Sequence, residues 1–288
     1  TRCHPTILHL ATVTSTDNPP AFLNLSDLIH SPDPIVSWLL PEFIPAGSLI
    51  ALAGLPGAGK SFLGYTLAMA LSSGTSVLGW PVSRPARVLY FEQELSRPDC
   101  IQYLRWAYHG LGLTASQHDV LITEHLFIAF YALGGPTWTH EAARYIDACQ
   151  PELIIIDTAT PACNIKNEND NAEASHVINL LRQLQRRMTP PAACLVLKHA
   201  KTIEAQSGYT IRGAKAWEGA VDSIIFQVRA KGRPTKDGLS TTSLIPTKTR
   251  AFGLRAPVTI HPQLTPDGLG LTLHRASASV QGPPPEDA

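Results

Sequence analysis

The chain has 288 residues, 44% of them hydrophobic, which is ample for a core in one large domain or two small ones. Only 16% are charged and the formal net charge is zero, so no overall basic field attracts nucleic acid and any such contact must be local. The five cysteines, Cys3, Cys100, Cys149, Cys163 and Cys194, are scattered with no C-x-x-C pair, and neither His4 nor His199 completes a metal-ligand set, which leaves reduced thiols as the reading. No apolar run reaches membrane-spanning length, and the start lacks the basic-then-apolar layout of a signal peptide, so a cytoplasmic location is expected.

Residues 1–45 read as a lead-in segment or linker, punctuated by Pro19-Pro20, Pro32, Pro34, Pro41 and Pro45. The chain opens on Thr1 and not on Met, as an excised piece would. A short helix is expected over Leu23 to His30, and Trp38-Leu39-Leu40 with Phe43-Ile44 is expected to pack beside the first core strand. That strand is Ser48 to Ala53, an apolar run of buried-strand length.

Next comes Gly54-Leu55-Pro56-Gly57-Ala58-Gly59-Lys60-Ser61, which fits G-x-x-x-x-G-K-[ST] at every fixed position. Glycines let the backbone curl so that its N–H groups point inward, Lys60 adds a point charge, and the Ser61 hydroxyl suits Mg²⁺. Phe62 to Leu71 is apolar and rich in helix formers, so strand, loop and helix follow in the order a phosphate site requires. The residues predicted to hold a nucleotide are therefore Gly54, Pro56, Gly57, Ala58, Gly59, Lys60, Ser61 and Phe62.

Val77 to Pro81 reads as a turn and Arg87 to Phe91 as a second buried strand, running into Glu92-Gln93-Glu94. A helix is expected over Arg97 to His109 with Pro98 in its first turn, a third strand region over Val120 to Phe130, and a helix over Thr139 to Cys149. Leu153-Ile154-Ile155-Ile156-Asp157 has the form of a Walker B strand, with Asp157 at its carboxyl end to hold the Mg²⁺ shell. Asn164 to Ala172 reads as a polar loop and Ala174 to Met188 as a helix. Ala193 to Leu197 is the next core strand, delivering Lys198 and His199 to the edge where Asp157 lies. The polar stretch Ala200 to Thr210 reads as a loop, Arg212 to Trp217 as the start of a short helix, and Asp222 to Val228 as a strand. Ser240 to Pro246 and Gly268 to His274 are expected to pair as a closing antiparallel ribbon, and residues 276–288 to form a disordered Pro-rich tail. Alternating strands and helices predict an α/β fold with a mainly parallel sheet and helices on both faces.

The order of these motifs resembles the RecA-like P-loop ATPases, closest to plasmid-type hexameric replicative helicases and their AAA-domain relatives. The likeness is carried by Gly54 to Ser61, Leu89 to Glu94, Ile154 to Asp157, Val196 to His199, and Arg212-Gly213-Ala214 with Lys248-Thr249-Arg250, spanning roughly residues 45 to 255. It implies a RecA-like ATPase domain over 46–275 with a C-terminal antiparallel extension, taking ATP and Mg²⁺. It also implies a glutamate that activates water, for which Glu94 is the candidate and Glu92 the alternative two residues away. The resemblance places His199 as a sensor of the γ-phosphate, and Lys248 with Arg250 as a basic pair reaching a neighbouring subunit's site. Lys201, Tyr209 and Arg212 would face single-stranded DNA in the channel of a ring, possible as a hexamer, that concentrates few charges locally. The alternative is a regulatory or assembly ATPase acting on a protein partner without nucleic acid.

Overall fold

The structure is a computed structural model and describes residues 29–30, 36–115, 118–203, 208–211, 215–230, 238–250 and 253–276. Ile29 and His30 are helical. The rest of the expected first helix and the Pro-rich tail from 277 lie outside the described residues, as does Arg212. From Val36 onward the chain forms its own compact unit.

Two short strands, β1 (Trp38–Leu40) and β2 (Ile44–Pro45), pair as an antiparallel ribbon whose Leu40, Phe43 and Ile44 are fully buried. The main chain order is then β3 (Leu49–Gly54), α1 (Lys60–Ser73), β4 (Val88–Glu92), α2 (Arg97–Gly110), α3 (His118–His125), β5 (Leu126–Phe130), α4 (Trp138–Cys149) and β6 (Leu153–Asp157). It continues through α5 (Ala159–Ala162), α6 (Asn171–Gln185), β7 (Ala193–Ile203), β8 (Gly208–Ile211), α7 (Ala216–Ala220), β9 (Ser223–Arg229), β10 (Thr242–Thr249), β11 (Val258–Leu264) and β12 (Leu271–Arg275).

All but the first two strands form one sheet in the order β12-β11-β10-β9-β3-β7-β6-β4-β5, with β8 paired to β7. The run from β9 to β5 is parallel, and β10, β11 and β12 add an antiparallel extension. Alternation along each strand supplies two apolar faces. On β3, Leu49, Ala51 and Ala53 join the cluster that α4, α6 and α7 cover, while Ile50 and Leu52 join the one beneath α1. Nearly every residue of α1 is buried, because α2 covers its outer side.

Local chemistry sets the helix starts. The Ser96 hydroxyl accepts from the Asp99 N–H to cap α2, with Pro98 in the first turn as expected. Asp170 accepts from the N–H groups of Ala172 and Glu173, so α6 begins at Asn171 and ends at Gln185, about one turn earlier than the apolar pattern suggests.

Three expectations are corrected. The stretch Val120 to Phe130 is not all strand: His118–His125 is helical and only Leu126–Phe130 is strand, because Ile122 packs on the Phe62 and Met69 cluster of α1. The polar stretch Ala200 to Thr210 contains strand, with Lys201 opposite Thr210 and Thr202 opposite Tyr209 in an antiparallel pair. Finally, Ser240 to Pro246 and Gly268 to His274 do not pair with each other. β11 lies between β10 and β12, and its Pro262, a residue that argues against a strand, stands opposite Leu273. No helix among the described residues is long and apolar enough to cross a membrane.

The C-terminus of α2 presses directly on β12. A Cβ at Gly110 would lie 2.1 Å from the Leu271 carbonyl oxygen, and one at Gly270 would lie 2.5 Å from the Gly110 nitrogen. Thr272 Oγ1 donates to the Gly110 carbonyl at 2.9 Å across the same contact. Gly110→Ala is therefore expected to destabilise the chain by about 1–3 kcal/mol, despite alanine's better helix propensity, read as a lower midpoint in chemical denaturation.

Candidate functional site

The loop between β3 and α1 is shaped by its glycines. Gly57 and Gly59 have φ of 72° and 92°, in the left-handed region that disfavours side chains, and Gly59 is the residue that opens α1. Gly54 faces β9 so closely that a Cβ there would meet the Gln227 carbonyl oxygen at 2.6 Å. No side chain caps α1 and no acidic residue sits in its first turn, so its positive end is left for an anion. Lys60 folds back over the loop: its Nζ donates to the carbonyls of Gly54 at 3.0 Å and Leu55 at 3.2 Å. Burial lowers the Lys60 pKa, against the nearby charges of Asp157 and Glu94. Ala58 and Phe62 are buried behind the loop, and Pro56 is exposed on its rim.

Beside the loop, two carboxylates end adjacent parallel strands in register, Glu92 on β4 opposite Asp157 on β6, and both are completely buried. Asp157 Oδ2 accepts from the Tyr90 hydroxyl at 2.7 Å, whereas Oδ1 has no hydrogen-bond partner among the described residues. Burial first, then the Glu92 charge, pushes the Asp157 pKa up to about 7, with the Tyr90 and Ser61 hydroxyls pulling it down. The peptide after Asp157 is cis.

The two candidate glutamates occupy different surroundings. Glu92 is fully employed: one oxygen accepts from the Tyr65 hydroxyl, and the other accepts from the N–H groups of Glu94 and Leu95 at 2.7 Å each. Burial raises its pKa. Glu94 is half exposed and its Oε2 lies 3.7 Å from His199 Nε2. Of the two, Glu94 has the carboxylate able to meet a water. His199 of β7 stands opposite Gly54 of β3, at the last residue of their parallel pairing, and its contact with Glu94 brings the three to one sheet edge.

Tyr65, Tyr90, Gln227 and Arg229 were not singled out in the sequence. Tyr65 and Tyr90 stack at 4.4 Å and 8°, each holding one of the buried acids. Their signal was available, since a tyrosine in a fully buried run needs a partner for its hydroxyl. Arg229, at the end of β9, donates to the Gly57 carbonyl at 2.5 Å, and Gln227 stands beside Gly59. Nothing local in the sequence announces that β9 borders the loop.

The remaining predicted residues lie elsewhere. Lys201 is exposed on the β7–β8 pair, and Tyr209 sits in β8 opposite Thr202. Lys248 Nζ donates to the carbonyls of Glu218 and Gly219 at 2.6 and 2.9 Å, and Arg250 to that of Gly219 at 2.8 Å, with Asp222 3.6 Å from its guanidinium. Both cations thus reach the same end of α7 and not the glycine loop of their own chain.

The family model described as an AAA domain matches residues 16–202. The match ends within β7, so β8 to β12, with Lys248 and Arg250, lie beyond it. No curated protein matches the chain.

Because the Asp157 pKa is raised in the fold, the folded state holds the proton more tightly than the unfolded chain does. The stability this adds is complete below the ordinary aspartate range and is lost as pH rises through about 7. Asp157→Asn, which carries no charge, is expected to melt higher than the unaltered nucleotide-free chain at about pH 8 and by less than half as much near about pH 5, at about 2–4 °C for each kcal/mol relieved. Thermal melts at the two pH values check this.

Proposed function

The chain belongs to the AAA domain family of P-loop ATPases, and from that premise we propose that it is a ring-forming, Mg²⁺-ATP-driven translocase on single-stranded DNA, of the replicative-helicase kind. The residues fit the nucleotide and cation. The glycine loop and the open end of α1 suit a phosphate chain, and a buried Asp157 with an unpartnered Oδ1 beside Ser61 suits a divalent cation. Ser61 and Asp157 would hold Mg²⁺, which when bound supplies neutralising charge on the phosphate oxygens. Lys60 exchanges two backbone carbonyls for phosphate, and Glu94 orients the attacking water and takes its proton.

The observation that carries the coupling is the continuity of β7. Its Cys194 to His199 pair in register with Leu49 to Gly54, and the same strand runs on to the exposed Lys201 and its pairing with β8. The Glu94–His199 contact then lies on the same strand as a surface that can touch DNA. Lys248 and Arg250 supply the basic pair to a neighbouring copy, leaving their α7 carbonyls when the ring forms, and Tyr209 and Arg212 complete the DNA-facing set. A few such groups per subunit create strong local potential in a ring without net charge on the chain.

Steady-state ATP hydrolysis across a protein dilution series, with and without single-stranded DNA, tests this reading. Activity is expected to rise more than linearly with protein and to be stimulated by DNA in a salt-dependent way. Lys60→Ala should fall to background, and Arg250→Ala should keep nucleotide affinity while losing roughly 10³-fold or more in turnover. Hydrolysis proportional to protein and indifferent to DNA would instead favour an ATPase that acts on a protein partner.

A further inference from the structure

Two cations hold carbonyls of the glycine loop, and they come to it from different parts of the chain. Lys60, on α1, donates to the carbonyls of Gly54 and Leu55 at 3.0 and 3.2 Å. Arg229, the last residue of β9 and 172 positions from its acceptor, donates from Nη2 to the Gly57 carbonyl at 2.5 Å. The end of β9 follows the loop closely. A Cβ at Gly54 would lie 2.6 Å from the Gln227 carbonyl oxygen, and one at Gly59 would lie 3.2 Å from Gln227 Nε2. Leu55, Pro56 and Ala58 of the loop line one hollow together with Gln227, Val228 and Arg229.

The Gly57–Ala58 peptide is thereby held at both ends. Its carbonyl accepts from Arg229, and its N–H, which points the opposite way in a planar trans peptide, donates to the Leu55 carbonyl at 3.1 Å. Gly57 and Gly59, with φ of 72° and 92°, have no side chain to limit their φ and ψ, so the loop constrains itself weakly. The direction of each N–H in a phosphate cradle is set by the tilt of its peptide plane, and fixing this plane fixes the N–H groups next to it. Lys60 cannot supply that restraint once a phosphate draws its ammonium from the loop carbonyls. Arg229 holds a different carbonyl and keeps it.

We propose that Arg229 is a positioning residue: its hydrogen bond from the end of β9 sets the glycine loop in the shape that receives a phosphate chain, before the ligand arrives. The inference rests on the nucleotide reading of the glycine loop. It adds a residue outside the strand, loop and helix of that motif and beyond the stretch that the AAA-domain model matches. Preorganisation raises affinity by removing the ordering cost that an unrestrained loop would impose at binding. Arg229 acts through the backbone, so it affects every ligand the loop holds by the same factor. Its guanidinium is exposed, and one charge-assisted hydrogen bond in water sets a scale of roughly three- to thirtyfold.

The test pairs amide hydrogen exchange of the ligand-free chain with calorimetric binding of inorganic tripolyphosphate and of a non-hydrolysable ATP analogue, each with Mg²⁺. Both are run on the unaltered chain, Arg229→Ala, Arg229→Met, Arg229→Lys and Lys60→Ala. In Arg229→Met, which keeps an apolar stem and loses the donor, the amides of Leu55 to Ser61 are expected to exchange at least about fivefold faster, with those of β6 and β7 unchanged. Both ligands should weaken by the same factor, roughly three- to thirtyfold, in Arg229→Ala and Arg229→Met. Arg229→Lys returns a donor and a charge and should recover most of that loss. Unchanged loop exchange, exchange that rises equally in β6 and β7, unchanged affinity, loss of the ATP analogue alone, or no recovery in Arg229→Lys would each overturn the proposal. Arg229→Met decides the matter if Arg229→Ala does not fold. Failure of the glycine-loop reading is distinguishable: then tripolyphosphate would not bind the unaltered chain, or Lys60→Ala would bind it equally well.

Discussion

Two carboxylates end adjacent strands in register with neither exposed to water, and the rest of the site is arranged around that cost. A buried charge is tolerated only when paired or hydrogen-bonded, and a second one beside it makes matters worse. The fold treats the two acids differently. Glu92 is satisfied by the Tyr65 hydroxyl and two backbone N–H groups, which also fixes the turn that presents Glu94. Asp157 is satisfied on one oxygen only, and burial and its neighbour hold its pKa near 7. Residues kept for function are often ones the empty fold would be more stable without, and the burial of Asp157 carries a cost of that kind.

The sheet order sets which strands meet at this site. β7 lies between β3 and β6, so the strand that carries His199 touches both the loop strand and the strand of Asp157. One residue earlier on β7, Lys198 is buried with its ammonium 4.3 Å from the Trp217 ring of α7. The carbonyls at the far end of α7 hold Lys248 and Arg250. β7, the short helix α7 and the pair Lys248 and Arg250 are therefore in physical contact, through a cation–π contact and hydrogen bonds.

The antiparallel extension contributes more than sheet area. α2 and β12 meet through the facing glycines Gly110 and Gly270, and Leu271 and Leu273 of β12 line a cavity that the glycine loop also borders. Close backbone approach is available only because both positions lack a side chain. The site is thereby assembled from the beginning, middle and end of the compact unit.

Local features were legible without the fold. The glycine loop announces itself because φ values of 72° and 92° need glycine at those two positions, and the spacing to Lys60 follows from the helix that must start there. The aliphatic run into Asp157 and the alternation of strands with helices determined an α/β sheet and one of its ends, since period and polarity act over a few residues. The strand of Val258 to Leu264 was hidden by Pro262, and the helix of His118 to His125 by its β-branched residues, because tertiary packing overrode local preference in both. Which of Glu92 and Glu94 is enclosed, and what Tyr65, Tyr90, Gln227 and Arg229 touch, depended on which strands become neighbours. Strand order is decided by how separate segments bury their faces against one another, and no window of sequence contains that information.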